Sequence, residues 1–240
     1  MKEAYRKWYT KYLSRDMEML IFGHAGYPVI LFPTAQGRYY QSKDNGLIEA
    51  AAPLLDAGLL KVYCPDGIDS ESWYNNALHP ADRVKTYNGY ERMIVNDVIE
   101  FALADTGAPQ AAAAGCGLGG YHAANIAFRH PELVGHLISM SGTYDIKQFI
   151  YGYYDDNCYF NNPMDYMPSL KDEYYLSRYR TMGIILGTGD ADYCREENRR
   201  LSEILTSQKV NHWLDDRTGY GHDWFWWKKM LPEYLTHVKQ

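Results

Sequence analysis

Apolar residues alternate weakly over residues 17–22, and the run Pro28-Val29-Ile30-Leu31-Phe32 is apolar throughout. This pattern predicts an early strand and, past the turn Gly23-His24-Ala25-Gly26, a buried one. Residues 47–59 carry Ala and Leu on one helical face, with Pro53 expected to kink or restart the helix. Residues 60–64 read as the next strand, stopped by Pro65-Asp66-Gly67. A helix is predicted from about 90 to 104, where Ile94, Val95, Val98, Ile99 and Ala102 recur at helical spacing. The small residues 111–114 lead into a glycine-rich corner, and a helical segment, 121–130, follows and stops at Pro131. Further strands are expected at 136–140, 183–186 and 211–215, with helices near 196–205 and 224–230. Strands alternating with helices argue for an α/β chain with a mostly parallel central sheet and helices on both faces. Sheets of that kind bind ligands beyond the carboxyl ends of their strands, which is where the corner and two later loops fall.

One stretch breaks the rhythm. Residues 151–179 are crowded with tyrosine, asparagine and aspartate and read as a lid-like insert in a single domain spanning 1–240. Tyrosines offer a large face with a polar tip, which suits a sugar or an aromatic acid. Composition then narrows the partners. A net charge of −6 without a long like-charged block argues against nucleic acid. The charged, aromatic start of the chain is no signal peptide, and no run approaches the ~20 apolar residues of a membrane span. A cytoplasmic protein is the expectation. Cys64, Cys116, Cys158 and Cys194 form no Cys-x-x-Cys pair and read as reduced, buried thiols, with neither metal nor cofactor expected.

The corner is Gly115-Cys116-Gly117-Leu118-Gly119-Gly120. Strand, sharp turn and helix in that order make a nucleophile elbow, whose usual pattern is Gly-x-Ser-x-Gly. Gly115 and Gly119 stand at the flanking positions, and Gly117 stands where the serine belongs. The corner resembles the elbow of the α/β-hydrolase superfamily, in particular the esterase family that includes esterase D-like, feruloyl and enterochelin esterases. Further likeness lies in Phe22-Gly23-His24, Leu31-Phe32-Pro33-Thr34, Tyr63-Cys64-Pro65-Asp66, Asp69 to Asn75 and Gly221-His222-Asp223-Trp224, in the same order along nearly the whole chain.

That resemblance implies an α/β-hydrolase fold and carries the base role to His222, in the loop before the last helix. The acid is Asp192 or Asp190; Asp192 is favoured, because the family commonly has a cysteine two and an asparagine six residues after the acid, as Cys194 and Asn198 stand here. The oxyanion donors would be the backbone N–H of Leu118 and one from the turn after Phe32, with Ala35 the first choice and Thr34 and Gln36 next. Tyr121, Trp73, Tyr153 and Tyr154 are the expected substrate-facing side chains. The other histidines, His122 among them, lack metal-ligand spacing and read as structural or exposed. Cys116 is expected to point away from position 117.

The expected protein is therefore a serine-type carboxylic-ester hydrolase scaffold, inactive or nearly so because Gly117 has no hydroxyl. The alternative is a natural non-catalytic binder, a pseudoenzyme. The partner would be a small-molecule ester, with a carbohydrate or aromatic acyl ester fitting the tyrosines, and a homo-oligomer is compatible with the sequence. A third reading uses Gly115, Gly117 and Gly120 as a Gly-x-Gly-x-x-Gly dinucleotide loop, but no acid follows the next strand at the expected place.

Overall fold

Why the chain forms a layered sheet is visible in how its strands alternate. Ile30 and Phe32 belong to one buried cluster, Val29 and Leu31 to another. The next strand over repeats this, with Ala111 and Ala113 on the first side, Ala112 and Ala114 on the second. Successive side chains of a strand point to opposite faces, so a sheet that is apolar at every position must be covered twice. The computed structural model describes residues 1–238 and shows how. One eight-stranded sheet runs in the order β1-β2-β4-β3-β5-β6-β7-β8. Its strands are β1 Glu3–Thr10, β2 Arg15–Phe22, β3 Tyr27–Phe32, β4 Leu60–Pro65, β5 Ala111–Cys116, β6 Val134–Met140, β7 Gly183–Ala191 and β8 Trp213–Gly221. β2 pairs antiparallel with β1 and β4, and every other pairing is parallel. This is the mostly parallel, doubly covered sheet of an α/β-hydrolase fold.

Helices Pro80–Met93, Glu100–Thr106, Leu118–Arg129 and Arg195–Ser207 supply the buried residues on one face. The segments Leu47–Ala50 and Ala52–Asp56, together with Trp224–Leu235, supply those on the other. The central strand β5 is an alanine run, a composition with little β preference of its own. Its short side chains are wholly buried. The burial of a strand between two helical layers, more than local propensity, holds it there.

The sequence expectations differ from the structure in instructive places. β1 was not expected; it is an edge strand, largely exposed, and its alternation carries polar as well as apolar residues. The helix expected near 90 begins at Pro80, capped by the His79 side chain accepting from Ala81 N–H, and passes through the π-helical turn Ile94–Ile99. The elbow helix starts at Leu118, before its two glycines, and the last helix runs through Pro232 to Leu235. Residues 151–179 fold into short helices, among them Asp156–Phe160, Pro163–Tyr166 and Glu173–Tyr179. This insert lies against the flank of the elbow helix, where the Tyr121 hydroxyl donates to the Asn161 carbonyl at 2.9 Å and that of Tyr179 to the Phe128 carbonyl.

Candidate active site

Four loops leave the carboxyl ends of β3, β5, β7 and β8, and the parallel register brings them to one rim. They carry Thr34 and Ala35, Gly117, Asp192 and His222 respectively. Between β5 and the elbow helix the backbone turns at Gly117 with φ 54° and ψ −122°. A side chain there is strained, and glycine relieves the strain. The turn is tight enough that a Cβ on Gly115 would overlap the Gly119 carbonyl oxygen, and one on Gly119 would lie 2.5 Å from that of Pro33. Glycine at both positions is a packing requirement.

A Cβ built on Gly117 points at His222 and Thr34. It would lie 3.2 Å from His222 Nε2 and 2.8 Å from Thr34 Oγ1. His222 Nδ1 is 2.9 Å from Asp192 Oδ1. A carboxylate accepts, so Nδ1 carries a proton, and the neutral form of the ring has its Nε2 lone pair toward position 117. Asp192 is held from every side: Thr188 Oγ1 donates to Oδ2 and the Cys194 N–H to Oδ1, each at 2.9 Å. Burial by itself pushes this carboxyl up, but hydrogen bonds from His222, Ser141, Cys194 and Thr188 outweigh it and hold the group below its ordinary value. It stays ionised where the imidazole needs it. Asp190 is elsewhere, its Oδ1 accepting the Gly219 N–H at 2.7 Å across the exposed ends of β7 and β8. Asn198 accepts from the Tyr144 hydroxyl at 2.9 Å and donates to the Gly142 and Cys194 carbonyls, tying the acid loop to the strand end of β6.

The backbone donors separate cleanly. The Thr34 N–H donates to Gln41 Oε1 at 2.9 Å and the Gln36 N–H to Asp69 Oδ2 at 3.1 Å. Among the described residues the N–H groups of Ala35 and Leu118 have no protein partner. Leu118 opens the elbow helix, where the helix dipole also favours negative charge.

Two of the four substrate-facing expectations are corrected. Trp73 and Tyr121 are buried in the core, their rings 6.1 Å apart and both packed on Tyr87. Fully burying a large apolar side chain contributes about 1.5–3 kcal/mol, so neither is free to act as a wall. Tyr153 and Tyr154 lie on the insert, and their hydroxyls donate to Asp155 and Asp165. The sequence reading missed Tyr193, which is 80% exposed and stacked on His222 at a ring-centroid distance of 4.0 Å and an interplanar angle of 24°. It missed Thr34 as a side chain facing position 117 as well. No sequence pattern marks either role; they matter through what the loops bring beside them.

Asp192, Cys194 and His222 also form a possible metal cluster, their donor atoms within 4.8 Å of one another. Burial pushes the Cys194 thiol up, and Nδ1 of His222 is already committed to Asp192, so the set fits a hydrogen-bonded dyad better than a metal. Cys116 is buried with its thiol pushed well above the ordinary value by desolvation, which disfavours the nucleophilic thiolate. A cavity of about 440 Å³ lined by Phe128, His130, Tyr159, Tyr166, Leu170 and Tyr175 lies at the other end of the elbow helix. Its lining residue Phe128 lies eleven positions along the elbow helix from Gly117, about 16 Å at roughly 1.5 Å per residue.

Residues 12–238 match the family model described as "Putative esterase". The chain belongs to this esterase family. Solved structures agree in fold. A ferulic acid esterase superposes with a TM-score of 0.75 at 15% identity, covering 97% of this chain and 95% of its own. The S-formylglutathione hydrolase of Agrobacterium tumefaciens gives 0.74 at 14% identity, covering 98% and 93%. The ferulic acid esterase of Anaeromyces mucronatus in complex with ferulic acid gives 0.74 at 13%, covering 99% and 90%. No curated protein matches the sequence. In this member of the family the elbow position is glycine, Gly117. Among the described residues no helix is long and apolar enough to cross a membrane.

Proposed function

We propose that this chain is a carboxylic-ester hydrolase scaffold that keeps the acid–base half of a serine esterase and lacks the nucleophile, so that it binds an ester without forming an acyl-enzyme. One observation carries the reading: the Nε2 lone pair of His222, oriented by Asp192, stands 3.2 Å from where the Cβ of residue 117 would be. A serine there would lose its proton to His222 as it attacked the ester carbonyl. The oxyanion would form against the N–H groups of Leu118 and Ala35, and His222 would return the proton to the leaving alcohol. Without that hydroxyl, only water activated by His222 can attack, and turnover should lie at least about a thousandfold below a complete triad. The exposed ring of Tyr193 beside His222 and the ferulic acid bound by one structural relative favour an aromatic acyl group.

The test is Gly117→Ser beside Gly117→Ala on a panel of small aryl esters. Both should destabilise the chain by about 1–3 kcal/mol, because each puts a Cβ at positive φ and asks Thr34 to rotate out of a 2.8 Å approach. Only serine should add turnover, by about a thousandfold or more. If serine and alanine behave alike, the hydrolase reading fails. The same Thr34 approach favours a second reading, a natural non-catalytic binder whose loop has closed on the glycine. That reading gains if Gly117→Ser stays silent while the unaltered chain binds ferulate in a calorimeter.

A further inference from the structure

An oxyanion site works only if its two donors keep a fixed spacing, and here they belong to different parts of the chain. Leu118 sits on the elbow helix and Ala35 in the turn after β3. Besides the close packing of Gly119 on Pro33, a buried polar bridge connects those parts. His122, one turn along the elbow helix from Leu118, has its Nε2 2.9 Å from Asp69 Oδ1, and both side chains are 1% exposed. The other carboxylate oxygen, Oδ2, accepts the N–H of Gln36, the neighbour of Ala35, at 3.1 Å.

We infer that Asp69 and His122 are the positioning pair of the oxyanion turn, setting the Ala35 donor against the Leu118 donor; this rests on the hydrolase reading above. Three further features fit that task and no simpler one. Gln36 is held at φ 56°, a left-handed conformation that a non-glycine residue keeps only when its surroundings impose it. The ends of the turn have other anchors, Gln41 Oε1 on the Thr34 N–H and Asp66 Oδ1 on the Tyr39 N–H at 3.1 Å, so the Asp69 contact fixes its middle. The imidazole is locked as well: Tyr87 stacks on it at 5.6 Å and 22°, with its hydroxyl 3.3 Å from Nδ1. A buried polar pair is rarely needed for stability, since apolar residues of like volume often do as well. What apolar residues cannot supply is a carboxylate oxygen aimed at one backbone N–H.

Asp69→Ala removes that acceptor, and Asp69→Asn retains one. In the unaltered Gly117 chain, amide hydrogen exchange should show the Gln36 N–H exchanging about a hundredfold faster in Asp69→Ala, with β5 and the elbow helix unchanged, and within tenfold of the parent in Asp69→Asn. In the Gly117→Ser background, kcat on a small aryl ester should fall about a hundredfold in Asp69→Ala with KM within threefold, as for loss of one oxyanion donor. Asp69→Asn should recover it to within tenfold. If Asp69→Ala does not fold, His122→Phe keeps the stack on Tyr87 and removes the contact to Asp69, with the same faster exchange at Gln36 expected. An unchanged Gln36 exchange rate, or equal losses in Asp69→Ala and Asp69→Asn, overturns the inference. If Gly117→Ser alone gives no turnover, the hydrolase reading falls while the exchange arm still decides the bridge.

Discussion

Two imidazole–carboxylate pairs flank the elbow at the same 2.9 Å, and their surroundings give them opposite character. His122 and Asp69 are each 1% exposed, whereas the His222 side chain is 13% exposed over an Asp192 that is wholly buried. Both nitrogens of His122 are engaged, one by Asp69 and one by the Tyr87 hydroxyl. His222 spends only Nδ1, and its other nitrogen opens toward position 117. An imidazole can take up a proton from a reactant only through a nitrogen the reactant can reach. The same two residue types therefore leave one nitrogen open on one side of the elbow and none on the other, and in the proposed reading access makes the first a base and the second a strut.

This contrast can be broken by experiment. The largest effect should come from His222→Gln combined with Gly117→Ser, which should lower kcat about a thousandfold or more relative to Gly117→Ser alone, while thermal melting moves little because that side chain is partly exposed. His122→Ala should do the reverse to stability. It leaves the Asp69 carboxylate buried without its partner, at a cost of about 3–5 kcal/mol in urea unfolding. Equal stability losses in the two variants would erase the distinction between base and strut.

A smaller effect concerns acid. Asp192 is held below its ordinary value of 3.8, so its ionised form stabilises the fold above that pH, and the contribution is lost as pH falls through the lowered folded value. Parent and Asp192→Asn should therefore melt a constant interval apart at neutral pH, and the interval should close below 3.8. A gap that closes at higher pH would mean that the carboxyl is not held down. The smallest effect is at Tyr193. Unstacking it from His222 by Tyr193→Ala should cost less than about tenfold in turnover of the Gly117→Ser chain, in line with about 0.5–1.5 kcal/mol for a ring pair. Tyr193→Phe should recover most of it.

Much of this was legible in the residues, for identifiable reasons. Weak alternation marked β2 and an unbroken apolar run marked β3, and proline and glycine marked where strands end. The elbow was readable because Gly115 and Gly119 answer to backbone approaches that no other residue tolerates. Other features left no local trace. β1 is an exposed edge whose pairing with β2 makes it a strand. Trp73 and Tyr121 look like ligand-facing aromatics in a list of residues, and only packing against Tyr87 puts them in the core. His122 gave no hint of Asp69, which lies 53 positions away.

The chain by itself determined the order of strands and helices, the bare corner at Gly117 and the types of side chain available to serve it. Those depend on backbone sterics and on the period of apolar residues, which are local. Tertiary structure alone decided that Asp192 and not Asp190 meets His222, that the Ala35 N–H is left unclaimed, and that one histidine is open while the other is sealed. Each of these is set by strand register and burial, quantities that exist only once distant segments have been brought within a few ångströms of one another.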